Sequence, residues 1–107
     1  MPRKNESKIV DELKEWARNK NGELTKYHGS PQSRRGEPDL DGFVEHLGRT
    51  VHVKFEVKIP GEELRLLQKH RLNVYQKAGY CAGVVTCVED AEGMVDDWVR
   101  AGKWLSN

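Results

Sequence analysis

The 107-residue chain is poor in several features, and each shortage removes a class of explanation. It has two cysteines, Cys81 and Cys87, both inside the apolar run YCAGVVTCV. Read as one strand, six residues at about 3.3 Å each hold them roughly 20 Å apart, too far to bridge. Reduced thiols in a cytoplasm are therefore expected. No apolar run approaches the roughly 18 residues of a membrane span, and the opening MPRKNESK lacks the apolar segment of a secretory signal. Four histidines and two cysteines show no zinc spacing. There is no GK[ST] phosphate loop, and no serine sits in a nucleophile elbow. The net charge of +1 gives no whole-molecule field, so a claim about a nucleic-acid partner must rest on where basic residues cluster.

What is abundant is charge, at 33% of residues against roughly 25% in ordinary globular domains. With 36% hydrophobic residues the core must be small, and a single domain over 1–107 is expected. Asn5 reads as an N-cap, and Ile9, Val10, Leu13, Trp16 and Ala17 recur on one helical face until Gly22. Glu6 stands at the N-terminal end of that stripe, either complementing the helix dipole or pointing into a site. A short strand is expected over Leu24 to His28, followed by the loop GSPQSRRGEP. Strands over Leu40 to Leu47 and Thr50 to Lys58, joined near Gly48 and Arg49, form a hairpin. A helix over Glu62 to Ala78 carries the stripe Leu64, Leu67, Val74, Tyr75 and Ala78, which Gln68 and Arg71 interrupt. YCAGVVTCV, apolar on both faces, reads as the inner strand, and Asp90 as the cap of a last helix bearing Met94, Val95, Trp98 and Val99.

The stretch RRGEPDLDGFVEHLGRTVHVKFEVK, residues 34–58, carries the chemistry. On the second hairpin strand Val51, Val53, Phe55 and Val57 take one face and His52, Lys54, Glu56 and Lys58 the other. Asp39 and Glu56 are then hard oxygen donors on neighbouring strands, suited to Mg²⁺ or Mn²⁺, with the Val57 carbonyl as a third oxygen. Asp41, on the same face as Asp39, is a rival first ligand. Lys58 is placed to orient a water or to meet negative charge developing on a phosphate. That set suits metal-assisted phosphodiester hydrolysis. No acid occurs from Lys26 to Gly36, and Lys26, His28, Ser30, Gln32, Ser33, Arg34 and Arg35 offer the charge and hydrogen bonds that hold DNA phosphates.

Taken together, GSPQSRRGEPDLDG, the GR of the turn, FEVK, the PG break and the helix carrying Gln68 resemble the VRR-NUC domain, the virus-type replication-repair branch of the PD-(D/E)XK nucleases, over about residues 6–89. The resemblance implies an α/β fold with a restriction-endonuclease-like core, a mixed β-sheet flanked by helices. It implies Asp39, Glu56 and Lys58 as the catalytic set, Gln68 as the later-helix glutamine and Glu6 as the first-helix acid. The gap from Asp39 to Glu56 is slightly long for the family, which keeps Asp41 in play. Stand-alone members from phages and bacteria are similar to Holliday-junction resolvases and act as homodimers. The expectation is thus a metal-dependent endonuclease on branched DNA. The alternatives are a nuclease for flap, nicked or single-stranded DNA, or a DNA-binding module without catalysis. A self-complementary patch of Leu66, Trp104 and Leu105 is the expected subunit contact.

Overall fold

The computed structural model describes residues 5–27 and 36–105. In α1, Glu6–Asn19, the Asn5 side chain accepts a hydrogen bond from the Lys8 amide at 2.8 Å, capping the first turn. Ile9, Val10, Leu13, Trp16 and Ala17 are all buried, as their spacing predicts. Strands β1 (Glu23–Lys26), β2 (Leu40–His46) and β3 (Arg49–Val57) follow. The β2–β3 turn is made by Leu47 and Gly48, with φ of 50° and 77°, between the paired His46 and Arg49. Two left-handed residues give the turn a twist that matches the flanking strands.

The strands form one sheet in the order β1-β2-β3-β4, antiparallel except for the parallel pairing of β3 with β4, Cys81–Val85. This mixed sheet with helices against it is the architecture the resemblance implied. Leu40, Val44, Val51, Val53, Phe55 and Val57 form the core with α1 and with α3, Val88–Arg100. The opposite face of β3 carries His52, Lys54 and Glu56, and α2, Leu66–Lys77, covers it. A short 3-10 turn, Lys103–Leu105, ends the described chain. No helix among the described residues is long and apolar enough to cross a membrane.

Five expectations are corrected. Helix α2 starts at Leu66, not Glu62, because the Glu62 carboxylate and amide are taken up by the amide and carbonyl of Ile59 in a turn around Pro60 and Gly61. Its buried residues are Arg71 and Leu72, while Leu67 and Val74 of the expected stripe are exposed. The helix packs on the polar face of β3, so its inner side is matched to charges and not to a core. Strand β4 stops at Val85, and Cys87, not Asp90, is the N-cap of α3. Asp90 instead accepts from the Thr86 amide and hydroxyl, which turns the chain out of the sheet. Finally, β4 ends the strand order and is not an inner strand. Its apolar run reflects helices on both faces, which says nothing of its place in the order. Both cysteines are free, Cys81 buried and Cys87 half-buried.

Candidate active site

Alternation along β3 turns Glu56 away from the main core, yet it is only 3% exposed because α2 closes over it. Gln68, in the first turn of α2, links helix and strand. Its Oε1 accepts from the Arg65 amide at 2.9 Å, capping the helix, and its Nε2 donates to Glu56 Oε2 at 3.1 Å. Lys58 Nζ lies 3.6 Å from the same Oε2. Glu56 Oε1 is buried without a hydrogen-bond partner among the described residues. A buried carboxylate oxygen left in that state is costly unless a cation or donor meets it.

Asp39 stands one residue before β2, opposite Glu56 when the Leu40–Phe55 pairing is continued. Its Oδ2 accepts from the Val57 amide at 2.9 Å, and its carbonyl accepts from the Tyr27 amide at 2.7 Å. Asp41 is two positions further along, 3.1 Å from Lys54 and on a largely exposed side chain. The fold therefore brings Asp39 to Glu56 and leaves Asp41 with Lys54. Burial, then the Asp39 carboxylate, push the Glu56 carboxyl up to about 7, against the lowering effect of Lys58 and with a smaller raising effect from Glu6. Glu6, half-buried at the start of α1, thus contributes to the same field.

Among the described residues no group of three or more His, Cys, Asp and Glu side chains is gathered as a metal cage. The donors at hand are the two carboxylates, Asp39 and Glu56, with the Val57 carbonyl beside them in sequence. They fit a hard cation that keeps water ligands, since an orphaned carboxylate oxygen and two acids held together both call for positive charge. Lys26 ends β1, next to the Tyr27 amide that Asp39 engages. His28, Ser30, Gln32, Ser33, Arg34 and Arg35 lie outside the described residues.

Sequence reasoning missed Glu37. Its Oε1 accepts from Arg71 Nε at 3.0 Å and its Oε2 from the Tyr75 hydroxyl at 2.6 Å, with Arg71 only 9% exposed. Gly36, at φ 80°, presses on the Leu67 backbone so closely that a Cβ would crowd it. The loop exit is thereby pinned to α2 two residues before Asp39. Arg71 interrupting an apolar stripe was the signal, but its partner lay 34 residues away. A groove of about 670 Å³ beside β4, lined by Gln76, Tyr80, Ala82, Met94 and Trp98 among others, includes none of the candidate residues.

Trp104 does not belong to an exposed patch. Its indole donates to the Val99 carbonyl, packs against the core and lies 3.5 Å beneath the Arg49 guanidinium. Leu66 and Leu105 are exposed, at 83% and 72%.

No protein-family model and no curated protein matches the sequence. Solved structures similar in fold include the following two. One, described as a VRR_NUC domain, superposes with a TM-score of 0.69 at 22% identity, covering 87% of this chain and 96% of the other. A second, described as a VRR_NUC domain protein, gives 0.61 at 18% identity over 92% and 91% of the two chains. With the superpositions running over nearly the full length of both structures, this chain has the VRR_NUC fold, a restriction-endonuclease-like α/β architecture.

Proposed function

We propose that the protein is a metal-dependent endonuclease that hydrolyses phosphodiester bonds in branched DNA, and that it works as a homodimer. The observation that carries this reading is Glu56, buried beside Asp39, Lys58 and Gln68 with one oxygen unpartnered. Asp39 and Glu56, with the Val57 carbonyl, hold the ion. When bound, Mg²⁺ or Mn²⁺ supplies a Lewis acid for the phosphate and lowers the pKa of an attacking water.

The chain's own groups do the rest. Gln68 fixes the Glu56 rotamer from α2, so the carboxylate is positioned before substrate arrives. Lys58 presents its ammonium at the edge of the acids, where it orients the attacking water or stabilises charge developing on the phosphate. Glu6 is an auxiliary acid that strengthens the local negative field and with it the attraction for a cation. Lys26, Ser30, Ser33, Arg34 and Arg35 bind backbone phosphates and supply affinity without base specificity. The branched-DNA preference rests on the resemblance to resolvase-like stand-alone nucleases.

The experiment is cleavage of labelled four-way junction, flap, nicked, single-stranded and linear duplex DNA, with and without Mg²⁺ or Mn²⁺, by the protein and by Glu56→Gln. Junction cutting that needs the metal and is lost in the variant is expected. Cutting confined to flap, nicked or single-stranded DNA overturns the branched preference. DNA binding with no cutting under any metal leaves a binding module and overturns catalysis.

A further inference from the structure

The whole-molecule charge of +1 conceals a polar distribution. Residues 64–88 contain no Asp or Glu, and α2 within them carries Lys69, His70, Arg71 and Lys77. Helix α3 carries five acids, Glu89, Asp90, Glu92, Asp96 and Asp97, against Arg100. The two helices lie on opposite faces of the sheet, α3 on the apolar core side and α2 over Glu56. Helix α2 is therefore basic along its own length and α3 acidic, on opposite faces of the sheet.

The pairing of the cations sharpens the contrast. Arg18, Lys20, Lys54, Lys58, Arg71 and Arg100 each have a carboxylate partner. Arg65, Lys69 and Lys77 form no ion pair among the described residues, and all three are exposed. At 100° per residue, the buried Arg71 and Leu72 with the inward-reaching Gln68 and Tyr75 mark the inner side of α2. Lys69, Asn73 and Lys77 recur every four residues on the outer side, with His70 and Leu66 beside them. From Lys69 to Lys77 the helix rises about 12 Å, roughly the rise of three to four nucleotides at 3.4 Å each. The same helix places Gln68 on Glu56, so a strand positioned for cutting has α2 as its neighbour.

We propose that the outer face of α2, with Lys69 and Lys77 as its phosphate contacts and Asn73 between them, is a track for the DNA backbone on either side of the cut. The acidic face of α3 is turned away from the DNA and sets the orientation of approach. The proposal rests on the reading of the protein as a DNA-cleaving enzyme and adds the surface that holds the substrate.

The test is fluorescence anisotropy of a labelled duplex in EDTA, where no cutting intervenes, across a salt series. Lys69→Ala with Lys77→Ala should weaken binding roughly tenfold at low salt and reduce the log–log salt slope by about two, one for each lost phosphate contact. Lys69→Arg with Lys77→Arg should restore both. Lys14→Ala with Arg18→Ala, on the far side of the sheet, removes the same charge and should leave the slope as it was. An unchanged slope in the Lys69 and Lys77 variant, or an equal loss in both pairs, overturns the track while the DNA reading stands. Failure of the unaltered protein to bind either the duplex or a labelled four-way junction overturns both.

Discussion

At the scale of the residue, Glu56 governs the pH behaviour. Its carboxyl is pushed up to about 7, whereas an unfolded chain holds it near 4.5. The folded protein therefore prefers to keep this proton between those values. Below about 4.5 both states are protonated and no difference remains. Stability fully present below about 4.5 is therefore lost progressively as pH rises from there through about 7, by about 3 kcal/mol in all. Glu56→Gln, neutral throughout, should be more stable than the natural protein at pH 8 in EDTA by about 2–3 kcal/mol. The two should converge near pH 4, and urea denaturation at both pH values checks the crossover. Added Mg²⁺ should reverse the order at pH 8 by stabilising only the protein that retains the carboxylate. Lys58→Ala at pH 8 should lose cleavage by two or more orders of magnitude while calorimetry still detects metal binding, because the role proposed for it is in the transition state.

At the scale of the element, α2 is held by an ion pair between two nearly buried side chains, Arg71 and Glu37, 2.9 Å apart. Removing one partner strands the other's charge, so Arg71→Met should cost about 3–5 kcal/mol. Arg71→Met combined with Glu37→Gln should cost clearly less than the sum of the single changes, as a double-mutant cycle in denaturant would measure. Because Glu37 pins the chain two residues before Asp39, the single variants should also lose metal affinity. The β2–β3 turn offers the opposite sign. Leu47 is 57% exposed at φ 50°, a conformation that asparagine or glycine adopts more readily than leucine. Leu47→Asn should stabilise the protein by about 0.5–1 kcal/mol, read as a rise in the denaturation midpoint at unchanged slope.

At the scale of the whole molecule, a junction presents two equivalent strands and one chain presents one candidate site, which is the argument for a twofold assembly. Sedimentation at micromolar concentration should give a dimer mass, free and on a junction; a monomer mass in both conditions would remove that part of the proposal. Leu105 remains available to such a contact, whereas Leu66 lies on the outer face of α2 that the DNA track would occupy, and Trp104 is committed to Arg49 and the core and adds little to it. Arg34→Ala with Arg35→Ala should lower the salt slope of DNA binding by about two, as expected if the basic stretch 28–35 holds phosphates.

Local order alone determined α1, the existence of the β2–β3 hairpin and the alternation of β3, since each is written in near-neighbour spacing: Asn5 before a helical stripe, Gly48 between two strands, Glu56 among valines; the turn itself falls at Leu47 and Gly48, one residue earlier than the expected Gly48 and Arg49. The candidate acids and lysine could be picked out for the same reason, because period two puts Glu56 and Lys58 together on one face. Spacing could not choose between Asp39 and Asp41, which share a face, nor phase α2, whose inner side is polar. Those decisions belong to tertiary structure. Pairing across β2 and β3 sets Asp39 against Glu56, and Arg71 turns inward only because Glu37 is there to meet it. The burial that raises the Glu56 carboxyl likewise depends on α2 closing over the strand, since a buried charge is set by the groups folded around it and not by its neighbours in the chain.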